Sequence, residues 1–97
     1  MSKTFSPRER RFLELYFSGF LMMDAARGAG YEGSSPQSRC NAGRRILKKF
    51  VANPQALFRL GGPRERKIAR LIIVTAENSK SEHRQLQAME ILMKAIY

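Results

Sequence analysis

Residues 35–53 read SPQSRCNAGRRILKKFVAN and predict a long helix with two unlike faces. Ser35 is a suitable N-cap, and Pro36 fits the first helical position, where its missing N–H would have no intrahelical partner. With the periodicity of a helix, the apolar side chains from Cys40 to Val51 gather on one side. The opposite side is polar and basic, and its members are Gln37, Ser38, Asn41, Arg44, Arg45, Lys48 and Lys49.

Two shorter helices are expected before this segment. In SPRE, Ser6 can cap a helix, Pro7 fits its first position and Glu9 can complete a capping box. We expect this first helix to reach about Gly19, because aromatic and apolar residues recur at helical spacing. A second helix is expected over roughly residues 21–27, where good helix formers precede two glycines.

The chain beyond the long helix is also expected to be helical. NPQALFRLGG predicts a short fourth helix, capped by Asn53 and closed by Gly61 and Gly62. The apolar run LIIVTA could form a buried strand by itself. Its flanks, RERKIAR and TAEN, contain few β-favouring residues, so we expect a fifth helix that begins near Pro63.

The last segment combines a helix start with an apolar stripe. Ser79 and Glu82, in SKSE, could form a second capping box. The stripe that follows can serve the core of the molecule, a contact between copies or both, and its periodicity leaves these interpretations open. Its members are Leu86, Met89, Leu92, Met93 and Ile96.

These expectations define an all-α protein with two parts. The first three helices, with a glycine-containing turn before the basic third helix, predict a helix-turn-helix DNA-binding domain over residues 1–61. A helical hairpin over residues 62–97 is expected to pack on that domain and to mediate oligomerisation.

The charge balance predicts an anionic partner. The 97 residues include 18 Lys and Arg against 8 Asp and Glu, for a formal net charge of +10. Such a balance favours nucleic acid first and an anionic membrane surface second. No run is long and apolar enough to span a bilayer, and the single cysteine excludes an internal disulfide framework, so we expect a cytoplasmic protein.

Catalysis is not expected, and neither is a metal ion or a cofactor. The chain has one histidine and one cysteine, and its acidic residues are scattered singly. A metal-ligand cluster, a phosphate-binding loop or a nucleophile–base pair cannot be assembled from them. Cys40 is expected in the core and His83 on the surface.

The basic run of the long helix has two interpretations. Charged runs are often only solvated helix faces. Residues 33–64 contain seven basic residues and no acidic one, however, so intrahelical salt bridges cannot explain the charges. We therefore expect this helix to read double-stranded DNA. The residues expected at base edges are Gln37, Ser38, Asn41 and Arg44, and those expected at phosphates are Arg45, Lys48 and Lys49.

Short motifs in the chain resemble the N-terminal DNA-binding domain of the small subunit of tailed-phage terminases. The motifs are FSPRERRFLELYFSG, then AARGAGY, then GRRILKK followed by NP. The turn YEGSSPQS is longer than usual for that family, and KKFVANP has extra residues before the Asn-Pro pair. The matching positions are Ser6, Pro7, Phe12, Tyr16, Ala25, Ala26, Ala29, Gly30, Tyr31, Gly43, Leu47, Lys48, Asn53 and Pro54.

This resemblance implies a non-enzymatic protein that forms a ring, recognises the viral packaging site and regulates the large terminase subunit, which carries the ATPase and the nuclease. Its partners would be double-stranded DNA, the large subunit and further copies of itself, in the cytoplasm of a bacterial host. Two other interpretations fit the residues. One is a phage or bacterial transcription regulator that binds an operator as a dimer, and the other is a structural adaptor whose basic face neutralises RNA or a protein partner.

Overall fold

Six helices and no strand make up the part of the chain that the computed structural model describes, which is residues 5–31, 35–59 and 62–96, with only the backbone of residue 96. The all-α prediction is confirmed, and LIIVTA is helical. In chain order the helices are α1 (Pro7–Phe17), α2 (Met22–Gly28), α3 (Pro36–Ala52), α4 (Gln55–Phe58), α5 (Pro63–Asn78) and α6 (Glu82–Ile96).

The two Ser-Pro helix starts are confirmed. The Ser6 hydroxyl accepts a hydrogen bond from the Glu9 N–H at 3.2 Å, and the Glu9 carboxylate accepts one from the Ser6 N–H at 2.9 Å. This reciprocal capping box begins α1. At the start of α3, the Ser35 hydroxyl accepts from the Ser38 N–H at 3.3 Å. Both caps satisfy backbone donors that have no partner inside the helix.

The predicted capping box of the last helix is wrong. α6 begins at Glu82, so Ser81 occupies the position before it, and its hydroxyl accepts from the Arg84 N–H at 3.4 Å. Ser79 instead accepts from the Ser81 N–H at 3.2 Å and stabilises the turn between α5 and α6. Two serines compete for one cap in SKSE, and the serine next to the first helical residue has the right geometry.

Other helix ends differ slightly from the predictions, as is common for helix termini. α1 stops at Phe17 rather than near Gly19, and α2 is shifted by one residue. Asn53 ends α3 instead of capping α4, which follows Pro54 without a side-chain cap. Gly61, which was expected to help close α4, lies outside the described residues.

Phe50 of α3 is at the centre of the core, with none of its surface exposed. The centroid of its ring lies 5.6 Å from that of Phe5, 6.2 Å from that of Phe17 and 5.9 Å from that of Phe58. Such edge-on and tilted ring contacts are favourable beyond the apolar area that they bury. α3 therefore connects the core residues of α1 and α4 while its other side faces solvent.

Small residues let α3 approach α1 and α2 closely. Ala25 and Ala26 of α2 are fully buried. Gly43 of α3 is also buried, and a Cβ at this position would lie 2.6 Å from Met22 Cγ and 2.9 Å from two ring carbons of Phe12. A side chain at Gly43 is thus excluded unless one of these helices shifts.

The α5–α6 hairpin packs on α1. The Thr75 hydroxyl donates to the Phe17 carbonyl at 2.9 Å, and Arg10 Nη1 donates to the buried Glu65 carboxylate at 2.9 Å. Buried residues of the hairpin belong to the same core as those of α1 to α4. The predicted boundary at residue 61 lies outside the described residues, but the core is continuous across it. The Cα radius of gyration, 12.5 Å, is that expected for a compact chain of this length.

Candidate nucleic-acid interface

Six of the seven predicted DNA-contacting residues form one exposed row on α3, which we call the α3 strip. The opposite side of the helix is buried through Ala42, Ile46 and Phe50, so packing on the core turns the polar side outward. Every member of the strip is solvent-exposed, and the members are Gln37, Ser38, Asn41, Arg44, Arg45 and Lys48.

Lys49, the seventh predicted residue, has a different environment. Its side chain is turned toward α1, where Nζ lies 3.1 Å and 3.2 Å from the two carboxylate oxygens of Glu9. The same ammonium lies 4.9 Å from the centroid of the Phe5 ring, within range of a cation–π interaction. Its charge is therefore already compensated inside the molecule, and its contact with phosphate stays a prediction. Local spacing could not reveal this, because Glu9 belongs to a different helix.

None of the ion pairs between described residues involves the three cations of the α3 strip, which are Arg44, Arg45 and Lys48. The pairs are Arg10–Glu65, Arg11–Glu14, Lys67–Glu14, Lys49–Glu9 and Lys94–Glu90. No ion pair between described residues thus neutralises the cations of the strip, which favours contact with a polyanion.

The N-terminal end of α3 also favours the binding of an anion. Gln37 and Ser38 lie in the first turn, next to the Ser35 cap. The Ser35 and Ser38 hydroxyls lie 3.2 Å apart, which helps to fix this turn. The N-terminal end of a helix dipole is positive and attracts phosphate. The preceding residues 32–34, whose turn was expected to be unusually long, lie outside the described residues.

A second group of polar residues borders the strip on the side of α1. Glu9, Tyr31, Arg45 and Lys49 line a small cavity of about 250 Å³ between the two helices. The Arg8 guanidinium lies 6.0 Å from the centroid of the Tyr31 ring and is exposed. Arg8 was not among the predicted contact residues, because it precedes α3 by many residues and no local pattern joins them. The fold places Arg8 and Arg45 near the same Tyr31 side chain.

Tyr31 keeps its proton at neutral pH. Burial raises the pKa of its hydroxyl above the usual value, and the nearby Glu9 carboxylate raises it further. A hydrogen bond with Ser6 and the charges of Arg8 and Arg45 act in the opposite direction without reversing the shift. A neutral phenol beside arginines can donate a hydrogen bond to a phosphate oxygen.

Three of the five residues in the predicted apolar stripe of α6 lie outside the core, whereas Leu92 packs against it. Leu86, Met89 and Met93 are 59%, 47% and 60% exposed, whereas the buried residues of this helix are Ala88 and Ile91. The interpretation as core is therefore wrong for these three side chains, and their role in an oligomer stays a prediction. Leu92 is half-buried, and the side chain of Ile96 lies outside the described residues.

Within the described ranges, no group of three or more His, Cys, Asp or Glu side chains is arranged to hold a metal ion. Cys40 is half-buried rather than fully in the core, and His83 is exposed as predicted. The same residues include no helix that is long and apolar enough to cross a bilayer.

Comparisons with known protein families, with curated proteins and with solved structures returned no match. The resemblance to terminase small subunits thus depends on the sequence motifs alone. Several motif residues, among them Phe12, Tyr16, Ala26 and Leu47, are buried. These positions carry information about helix packing, whereas Lys48 belongs to the α3 strip.

Proposed function

We propose that this protein is a non-enzymatic DNA-binding subunit that recognises viral DNA and regulates the large terminase subunit during phage genome packaging. In this proposal α3 enters the major groove of double-stranded DNA, as the recognition helix of a helix-turn-helix does. The basic composition, the packing of α1, α2 and α3, and the resemblance of their motifs to terminase small subunits all support it.

The observation that carries the DNA-binding part is the uncompensated charge of the α3 strip. Three cations and three short polar side chains share one exposed row. The ion pairs of the described residues join acids to cations outside this row. A merely solvated helix face would more commonly carry mixed charges that pair along the helix.

The roles within the strip follow from position. Gln37 and Asn41 lie toward the start of α3, where side chains of a recognition helix reach base edges, and both can bond adenine through two atoms. Arg44 can bond guanine in the same way. Arg45 and Lys48 lie further along the strip and contact phosphates, which adds affinity that falls with salt but carries no sequence information.

The packaging role is supported by the motifs and by the exposed apolar side chains of α6. Apolar side chains left on the surface of a small protein favour self-association. A regulator that binds an operator as a dimer would use the same α3 strip and the same kind of surface. The two functions differ in subunit number, because a terminase small subunit forms a ring.

The experiment that tests DNA reading is a selection from random duplexes followed by titrations with the selected duplex and an unrelated one. We expect Asn41→Ala and Arg44→Ala each to weaken binding to the selected duplex by roughly 1–3 kcal/mol, with a smaller effect on the unrelated duplex. Arg70→Ala is the matched control, since Arg70 is an exposed cation of α5.

If Arg44→Ala and Arg70→Ala weaken binding to both duplexes equally, α3 does not read DNA. The protein would then bind polyanions through its total charge alone.

A further inference from the structure

A groove runs between α6 and the C-terminal half of α3. It consists of two adjoining cavities of about 610 Å³ and 470 Å³, which share Ala52 and Lys94 in their walls. The first extends from His83, and the second reaches Pro54 and Met93. From His83 to Lys94 the wall formed by α6 is about 17 Å long, at about 1.5 Å per helical residue.

The groove has an apolar floor and a cationic rim. Met22, Leu47 and Val51 line the floor. Leu47 is buried and the other two are half-buried, so apolar surface remains accessible along the groove. Arg44 and Lys48 lie on one wall. The opposite wall carries polar His83 and the ion pair of Lys94 with Glu90, whose charged atoms lie 3.4 Å apart, so the net positive charge of the rim comes from Arg44 and Lys48.

This combination selects among possible occupants. A DNA backbone would leave the apolar floor facing sugars and phosphates, which gains nothing from its burial. A second copy of this chain, with a net charge of +10, would meet the cationic rim with like charge. A helix with one apolar face and acidic flanks matches both the floor and the rim, and the length of the groove fits about three helical turns.

We propose that the groove binds an acidic amphipathic helix of a partner protein. The apolar side chains of that helix pack on Leu47 and Val51, and its carboxylates pair with Arg44 and Lys48. The proposal goes beyond DNA recognition and does not depend on it. Arg44 and Lys48 also belong to the α3 strip, so an occupied groove withdraws two cations from DNA.

The test uses a fluorescein-labelled synthetic peptide of about 14 residues, with leucines at helical spacing on one face and glutamates elsewhere. It is titrated with the full-length protein in the absence of DNA. We expect the peptide to bind saturably. A control peptide of the same composition, with its leucines dispersed around the helix, should bind at least about tenfold more weakly, because it has no apolar face. The failure of DNA recognition would leave this measurement unaffected.

Two variants test the location at opposite ends of the groove. Lys94→Glu and His83→Glu are each expected to weaken peptide binding about fivefold, because each places a further carboxylate at the rim, which repels the glutamates of the peptide. Arg70→Glu, on α5 outside the groove, is expected to change it less than twofold. Circular dichroism checks that all three variants retain their helices.

Three results would overturn the proposal. They are the absence of saturable binding, equal binding of the dispersed peptide, and an effect of Arg70→Glu as large as that of both groove variants. The last two would show attraction between charged molecules without a specific site.

Discussion

Lys48 and Lys49 are neighbours in the chain but lie on different sides of α3. A step of about 100° along an α-helix leaves Lys48 in the α3 strip and turns Lys49 toward α1. Lys48 is exposed, whereas Lys49 is half-buried against Glu9 and the Phe5 ring. Identical side chains therefore serve different purposes: Lys48 contributes surface charge, and Lys49 joins α3 to α1.

Alanine at each position should separate these purposes. We expect Lys49→Ala to lower the free energy of unfolding by about 1 kcal/mol, because it removes a partly buried ion pair and a cation–π contact. Lys48→Ala should change it by less than about 0.5 kcal/mol. In DNA titrations, Lys48→Ala should reduce the slope of log affinity against log salt by about 1. Urea unfolding and salt-dependent DNA binding measure the two effects. A larger loss of stability in Lys48→Ala than in Lys49→Ala would contradict this assignment.

At the scale of elements, the position of α3 depends on a close contact at Gly43. The helix can lie against Met22 and Phe12 only because no Cβ separates them. Gly28, at the end of α2, offers a contrast, since a Cβ there would meet only the flexible end of Leu15, at 2.7 Å from Cδ1. One contact fixes the approach of two helices, and the other can be relieved by a rotamer change.

The same substitution should therefore affect stability at Gly43 and leave it nearly unchanged at Gly28. Gly43→Ala is expected to lower the free energy of unfolding by about 1–2 kcal/mol, since overpacking outweighs the higher helix propensity of alanine. Gly28→Ala should be neutral within about 0.5 kcal/mol. Thermal and urea unfolding of the three proteins measure the difference. A Gly43→Ala protein as stable as the parent would mean that the helices can separate at little cost.

The presence of the helices could be predicted from the sequence, but the capping residue of α6 could not. Ser6 and Ser35 each precede a proline, which leaves one serine in the capping position. In SKSE, Ser79 and Ser81 are both available, and only the backbone path of the turn decides between them. The predicted helices therefore match the structure more closely than their predicted ends do, because a cap depends on the geometry of a single residue.

At the scale of the whole molecule, exposed apolar side chains lie along the α5–α6 hairpin. Gln85 Nε2 donates to the Ala76 carbonyl at 3.0 Å, which fixes the register of the two helices. With this register, Ile73 of α5 and Met89 of α6 lie at a similar level of the hairpin, and both are exposed. Together with Leu86 and Met93, they offer a surface that another copy of the chain could cover.

The subunit number in solution tests this surface. We expect light scattering after gel filtration to give the mass of an assembly of many subunits, as a ring requires. The double variant Leu86→Ser with Met93→Ser is expected to have the mass of a monomer and to keep its helices. Loss of two apolar side chains per subunit removes roughly 1.5–3 kcal/mol for each fully buried one. Leu21→Ser is the control, because Leu21 is 65% exposed in the turn between α1 and α2.

The parent mass also decides between the two DNA-binding functions. A dimer would favour the transcription regulator, and a monomer would contradict both that function and the terminase proposal. An unchanged mass in the double variant would place the contact elsewhere on the molecule.

The sequence by itself determined the helices and the polarity of α3. Ser-Pro starts, helical periodicity and the absence of acids from residues 33–64 are local properties. They depend on groups within one or two helical turns, so the pattern is complete before any helix packs on another. The α3 strip could be predicted for the same reason, because its members share one side of one helix.

Only the tertiary structure decided which charges are compensated and which apolar residues remain exposed. Lys49 meets Glu9, on another helix, once α1 and α3 pack together. On α6, Ala88 and Ile91 enter the core, whereas Met89 and its exposed neighbours do not. When a helix has apolar residues on more than one side, its own sequence does not determine which side is buried. The positions of the neighbouring helices determine it.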